Sequence, residues 1–201
     1  MTAFTGIILA GGKSTRLGTE KSFLEVGEKP LIVRVMDVFS GLFDEILISA
    51  NDPEPYSELP ARVVLDEVPE GGALIGLHSS LSAMNTEYAF VAACDMPFLS
   101  RELIRYMIDR AEGYDALVPR IDDYLEPLHA VYSKNCVDAI RRQSDAGHKH
   151  LRSFYDDIKI EYVDKETVER LDPAGLTFFN INTHEDLDKA RSLLSSSAVT
   201  R

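Results

Sequence analysis

The chain is short of positive charge: 21 lysines and arginines stand against 33 aspartates and glutamates, a formal net charge of −12. A general nucleic-acid binder needs a basic face to displace counterions from phosphates, so this balance argues against one. The aromatics point the same way. Tyrosines and phenylalanines are scattered at core spacing, not set in a ladder on which bases could stack. Cysteine is scarce as well. Cys94 and Cys136 lie far apart and follow no zinc-ligand spacing, which leaves two reduced thiols, with Cys94 in a core strand. Long apolar runs are missing, since none approaches the ~20 residues of a membrane span. The opening MTAFTGIILAGGKSTRLG has too short an apolar run, with no basic residue before it, for a secretory signal. The expectation is a cytoplasmic protein with neither a membrane nor a nucleic acid as partner. What is present is 201 residues, 45% hydrophobic and 27% charged, which suits one globular domain.

Strand and helix patterns alternate along the chain. Thr5–Ala10 is a continuous apolar run ending in Gly11-Gly12, as in a strand buried on both faces. Pro30 opens an amphipathic helix through Leu31, Ile32, Val35, Met36 and Phe39, closed by Gly41. Glu45–Ala50, Ala61–Leu65 and Tyr88–Ala93 read as strands, and Ala73–Met84 and Arg101–Ala111 as helices, the latter capped by Ser100. Ala116–Pro119, Leu128–Tyr132, Ile158–Val163 and Leu176–Ile181 read as further strands. Lys134–Gln143, Lys149–Tyr155 and a last segment from Thr183 to about Leu194 read as helices. The alternation predicts an α/β fold: a single three-layer domain over residues 1–195 with a mostly parallel central sheet, and a frayed serine-rich tail over 196–201. Such sheets bind ligands at the carboxyl ends of their strands, near a topological switch point. The loops after Ala10, Leu65 and Ala93 should therefore gather at one edge.

Those loops carry the unusual residues. After Leu9 and Ala10, the paired glycines Gly11 and Gly12 allow backbone N–H groups to approach phosphate oxygens, and Arg16 and Lys21 add cations. Around this loop the charge balance reverses, with Lys13, Arg16 and Lys21 facing Glu20 alone. It is not a Walker loop, because no Gly-Lys-Ser/Thr follows at the required interval. Asp66 ends a strand ahead of Gly71-Gly72 and suits a base, a ribose or a metal-bound water, or else caps a local turn. Asp95 ends another buried strand. It suits a Mg²⁺ ligand, since Mg²⁺ takes one or two protein carboxylates plus phosphates; the alternative is a turn or capping role.

Together these segments resemble a known family. LAGGKSTRLGTEK is very similar to the signature of nucleotidyltransferases with a mixed α/β, Rossmann-like nucleotide-binding fold. ACDMPFLS, EPLHAVY (Glu126–Tyr132) and FNINTHEDL (Phe179–Leu187) resemble the molybdenum cofactor guanylyltransferases, and the likeness runs from Thr5 to about Leu194. The resemblance implies transfer of GMP from GTP to the phosphate of molybdenum-molybdopterin, with release of pyrophosphate. It implies backbone contacts to the guanine nucleotide from Leu9, Ala10 and Gly11. It assigns Lys21 to the phosphates, Asn51 to the base or ribose, Asp66 to the nucleotide, and Asp95 to both the nucleotide and Mg²⁺, with Mn²⁺ as the alternative metal. Two departures stand out: Gly72-Ala73-Leu74 where the family reads Gly-Pro-Leu, and His184 where a proline usually follows NINT. Molybdoenzymes and other cofactor-assembly proteins are the protein partners such a role would bring.

The attacking phosphate is already largely anionic at neutral pH, its second pKa lying at about 6, so no strong general base is needed. No Ser-His-Asp or Cys-His constellation is evident. Catalysis then falls to positioning and charge neutralisation by Arg16, Lys21, Asp95 and the Gly11-Gly12 amides. For the acceptor, the basic stretch His148–Arg152 and the asparagines beside Ile181 are the candidates. Lys149 and Arg152 would meet the pterin phosphate, with Asn180 and Asn182 sharing one face of a strand next to them. A solvated helix start is the competing account of that basic stretch, and a satisfied core or surface position that of His129. A cytidylyl- or sugar-nucleotide transferase, and a non-catalytic nucleotide-binding regulator, are the rival functions.

Overall fold

The computed structural model describes residues 3–11, 21–68 and 71–198. In chain order it contains β1 (Phe4–Leu9), the short hairpin β2 (Glu25–Val26) and β3 (Lys29–Pro30), α1 (Leu31–Phe39), β4 (Glu45–Ala50), β5 (Arg62–Leu65), α2 (Gly72–Ala83) and β6 (Tyr88–Ala93). The second half contains α3 (Arg101–Ile108), β7 (Ala116–Ile121), β8 (Tyr124–Leu125), β9 (His129–Ser133), α4 (Cys136–Asp145), β10 (Ile160–Val163), α5 (Lys165–Leu171) and α6 (His184–Ala198), with a 3₁₀ stretch at Leu151–Asp157.

The main sheet runs β10-β7-β9-β6-β1-β4-β5, with β8 paired to β7. β1 is parallel to both β4 and β6, and β5 is parallel to β4. β9 runs antiparallel to β6 and β7, and β10 parallel to β7. Every residue of β1 and β6 is buried, because helices cover both faces of these central strands. On one face α1 and α3 deliver Ile32, Val35, Met36, Phe39, Leu103, Ile104 and Met107 to the core. On the other, α2 and α4 deliver Leu74, Leu77, Leu81, Cys136 and Ile140, joined by Phe154 and Tyr155 from the 3₁₀ stretch. A smaller cluster beneath α6 joins Val26, Leu31, Ile181 and Leu187. Ser100 caps α3 as its sequence predicts, its hydroxyl accepting from the Leu103 amide at 3.2 Å. The two cysteines are buried and free. Among the described residues no helix is long and apolar enough to cross a membrane.

From β1 the chain moves outward to β4 and β5, then returns past β1 to β6. The strand order therefore reverses between β1 and β6, and the carboxyl ends of these two strands frame the crevice where open α/β sheets hold ligands.

Three expectations need correction. Leu176–Ile181 is not a strand; it crosses the end of the sheet, and its Ile181 amide donates to the Asp95 carbonyl at 3.1 Å. β6 already has β1 and β9 on its two sides, so no edge is left for another strand there. Lys149–Tyr155 is not an α-helix but leads into the 3₁₀ stretch Leu151–Asp157. The final helix reaches Ala198, beyond the end near Leu194 that its spacing predicts.

Candidate active site

At the end of β1 the backbone is fixed from both sides. The Ala10 amide donates to the Ser49 carbonyl of β4 at 2.9 Å, and the Cys94 amide donates to the Leu9 carbonyl at 3.1 Å. This leaves Leu9, Ala10 and Gly11 at the mouth of the crevice. A Cβ on Gly11 would stand 3.1 Å from Asp66 Oδ2 and 3.4 Å from Asn51 Nδ2. Three of the expected nucleotide contacts therefore converge, with glycine leaving the space between them open. Gly12 and Arg16 lie outside the described residues.

Asp66 is held by Ser49, whose hydroxyl donates to its Oδ1 at 2.7 Å. Burial pushes the Asp66 carboxyl above the usual carboxylate range, opposed by that hydrogen bond. The next residue, Glu67, is anchored by the helices behind it. Its amide donates to Ser79 Oγ at 3.0 Å, and its carboxylate lies 3.3 Å from Arg141 and 3.5 Å from the buried His78. Burial pulls the His78 pKa down, against the pull of Glu67.

Asp95, at the end of β6, forms an ion pair with Lys21 through its Oδ2. The Lys21 ammonium also donates to Asn182 Oδ1 at 2.8 Å. The other Asp95 oxygen, Oδ1, is buried with no hydrogen-bond partner among the described residues. A carboxylate with one oxygen unclaimed and no cage of further acidic ligands fits Mg²⁺ that takes its remaining ligands from water and phosphates. No group of three or more His, Cys, Asp or Glu side chains that could hold a metal ion occurs among the described residues.

The four residues expected at the acceptor do not stand together. Asn182 reaches across to Lys21, while Asn180 Nδ2 donates locally to the Phe178 carbonyl at 2.9 Å. Lys149 and Arg152 are exposed, the first just before the 3₁₀ stretch and the second within it, and the Phe154 and Tyr155 of that stretch pack with α2 and α4 on one face of the sheet. Phe178 packs into the core of the other face. No described contact joins Lys149 or Arg152 to the asparagines. The basic stretch is tied instead to the loop before β9. Tyr155 and Tyr132 share a hydroxyl contact of 2.7 Å, and Tyr132 donates to the Pro127 carbonyl at 2.9 Å. That loop lies at the carboxyl edge, where the Leu128 carbonyl accepts from the Ala93 amide at 3.2 Å. Its Glu126 is half-buried, and burial pushes its carboxyl upward.

Sequence reasoning passed over Ser49, which holds Asp66, and took Gly76 only as part of a glycine-rich helix start, whereas it leaves the space in which Ser49 does so. The signals were a lone hydroxyl closing the apolar run EILISA and a lone glycine inside a helical pattern. His129 takes its core reading: fully buried, its ring packs edge-on against Phe90 and Phe178 at 4.9 and 5.1 Å between centroids.

A crevice at the β1/β6 reversal, lined by strand-end carboxylates and a lysine, defines an α/β nucleotidyltransferase domain. The MobA-like NTP transferase domain family matches residues 6–165, and the chain belongs to that family. A probable molybdenum cofactor guanylyltransferase of Pelotomaculum thermopropionicum is 43% identical over 201 residues, all of this chain and 98% of that protein. The molybdenum cofactor guanylyltransferase of Desulfosudis oleivorans is 35% identical over 202 residues, the whole of both. The molybdopterin-guanine dinucleotide biosynthesis protein A of Archaeoglobus fulgidus superposes with a TM-score of 0.84 at 29% identity, over 96% of this chain and all of that one. A 4-diphosphocytidyl-2C-methyl-D-erythritol synthase from Anaerococcus prevotii, at 19% identity and TM-score 0.71 over 96% of each chain, shares the fold alone.

Proposed function

We propose that this enzyme transfers GMP from GTP to the terminal phosphate of molybdenum-molybdopterin, in the cytoplasm, where its two buried thiols stay reduced. The observation that carries the reading is the pairing of Lys21 with Asp95 at the β1/β6 reversal, in a chain whose full-length relatives are named for guanylyl transfer. An oxygen of the acceptor phosphate attacks the α-phosphorus of GTP. The bond from that phosphorus to the bridging oxygen breaks, and pyrophosphate leaves with the electron pair.

The chain's part is positioning and charge. The Leu9–Gly11 backbone with Asn51 and Asp66 holds the nucleoside end, Lys21 takes phosphate charge, and Arg16 adds a second cation. Asp95 would hold Mg²⁺, which when bound neutralises charge on the phosphates. Because the attacking phosphate is already anionic, no side chain has to remove a proton. Lys149 and Arg152 have no salt bridge among the described residues, and they supply the positive charge by which a protein of net charge −12 receives an anionic pterin.

The test is a panel of GTP, CTP, ATP and UTP with Mg²⁺ and molybdopterin, scored by pyrophosphate release. Release with GTP alone is expected. Preference for CTP would move the chain to cytidylyl transfer, and nucleotide binding without release would make it a regulator.

A further inference from the structure

We propose that Lys21 is a built-in stand-in for the divalent cation, so that metal and nucleoside triphosphate enter the site as one unit. This rests on the function proposed above and adds an order of binding to it. The ammonium sits on Asp95 Oδ2 in a pair whose side chains are only 18% and 15% exposed. Asn182 Oδ1 steadies the same ammonium at 2.8 Å, and as a neutral acceptor it can do so without competing for the charge. The Asp95 carboxylate therefore already has its counter-charge before any ligand arrives. Its second oxygen, Oδ1, is buried and unpartnered among the described residues.

A divalent cation arriving alone has to lie beside the ammonium or displace it. Like charges a few ångströms apart in a partly desolvated site repel strongly, so the metal alone is held poorly. A triphosphate changes the balance, because it offers the ammonium another anionic partner. As Lys21 moves its charge to the phosphates, both Asp95 oxygens become available to the metal. Metal charge on Asp95 in turn favours the transfer of Lys21 to phosphate. Each ligand raises the affinity for the other, and by linkage the factor is the same in both directions.

The experiment reads Mn²⁺ binding by electron paramagnetic resonance, with and without guanosine 5′-[αβ-methylene]triphosphate, which cannot be cleaved at the reacting bond. The wild type is expected to bind Mn²⁺ at least tenfold more tightly once the analogue is present. Lys21→Met, similar in length but uncharged, should bind Mn²⁺ alone at least tenfold more tightly than the wild type and gain less from the analogue. Lys21→Arg keeps the charge and should resemble the wild type. Equal affinity for Mn²⁺ alone in the wild type and Lys21→Met would overturn the proposal, as would tight binding by Lys21→Arg. Lys21→Gln, confirmed folded by its melting transition, replaces the methionine variant if that one fails to fold. The double variant Lys21→Met, Asp95→Asn separates the two readings. If it keeps the tight Mn²⁺ binding of Lys21→Met, the metal is not on Asp95, and the assignment under the proposed function fails instead.

Discussion

Gly76 of α2 approaches Ser49 of β4 so closely that a Cβ at position 76 would stand 2.6 Å from the Ser49 Oγ. That hydroxyl is the one that holds Asp66, and the same Cβ would also lie 3.4 Å from Asp66 Oδ1 and from Leu9 Cδ2. The helix can therefore come down onto the strand ends only because this position carries no side chain.

Gly76→Ala is expected to damage the site despite the better helix propensity of alanine, worth about 1 kcal/mol. The new methyl must displace Ser49, and the hydroxyl's hold on Asp66 goes with it. GTP affinity measured by calorimetry should fall at least tenfold, with a lower melting temperature. Adding Ser49→Ala removes the clashing oxygen and should recover melting temperature without recovering affinity. Unchanged affinity in Gly76→Ala would mean that the Ser49–Asp66 contact does not serve the nucleotide.

Asp66 is expected to trade stability for nucleotide binding. Its carboxyl is pushed upward by burial, so the ionised form is held at a cost when the site is empty. Asp66→Asn keeps an acceptor for Ser49 and removes the charge. The variant should melt at the same temperature or higher, while GTP affinity drops roughly tenfold or more, the size of one lost charge-assisted hydrogen bond. A fall in both would identify Asp66 as a structural carboxylate.

His129 gives the fold an acid sensitivity unrelated to the site. Burial lowers its pKa to about 3, and neither ring nitrogen has a hydrogen-bond partner among the described residues. The unfolded chain binds this proton near the ordinary value of 6.5 and the folded chain does not. Its contribution is therefore fully present above pH ~6.5 and is lost as pH falls toward ~3, up to about 5 kcal/mol in all. His129→Leu removes both unpaired nitrogens and should flatten this part of the stability–pH curve in urea titrations. An identical slope in wild type and variant would show that the imidazole finds a partner when protonated.

The parallel half of the fold was legible because its signal is local. TGIILA, EILISA and YAFVAA are mostly apolar, as strands between two helical layers must be, and glycine and proline punctuate the chain between them. LTFFNI reads the same way and is not a strand. Alternation reports which side chains are buried, not what buries them. Here Thr177 bonds to the start of α3, its Oγ1 accepting from the Ser100 amide at 3.0 Å, and Ile181 fills the cluster beneath α6. The separate helix α5 is seven residues long and the β2 and β3 strands two each, too short for periodicity to stand out. In the site, position alone marked the strand-end carboxylates Asp66 and Asp95 as candidates beside a turn or capping role, and the family resemblance supplied the roles expected of them. The bond from Lys21 to Asn182 spans 161 positions and depends on how the last crossing segment lies over Asp95, which no local pattern encodes.

That bond makes the last expectation the sharpest test of where each substrate sits. If Asn182 serves Lys21, its loss belongs to the nucleotide half of the reaction. Asn182→Ala leaves the ammonium with Asp95 as its one remaining partner among the described residues and frees it to swing. Hydrogen bonds to charged groups contribute about 1.5–3 kcal/mol, so GTP affinity or turnover should fall roughly tenfold or more. The KM for molybdopterin should change little. Lys149→Ala with Arg152→Ala is expected to do the opposite, raising the KM for molybdopterin severalfold and sparing GTP binding, because these exposed cations belong to a stretch whose Phe154 and Tyr155 pack on the α2 and α4 face of the sheet, with no described contact to Lys21 or Asn182. Calorimetry with GTP and steady-state kinetics with the pterin read the two arms independently. If Asn182→Ala instead raises only the pterin KM, the asparagine faces the acceptor, and its contact with Lys21 is made only while the acceptor is absent.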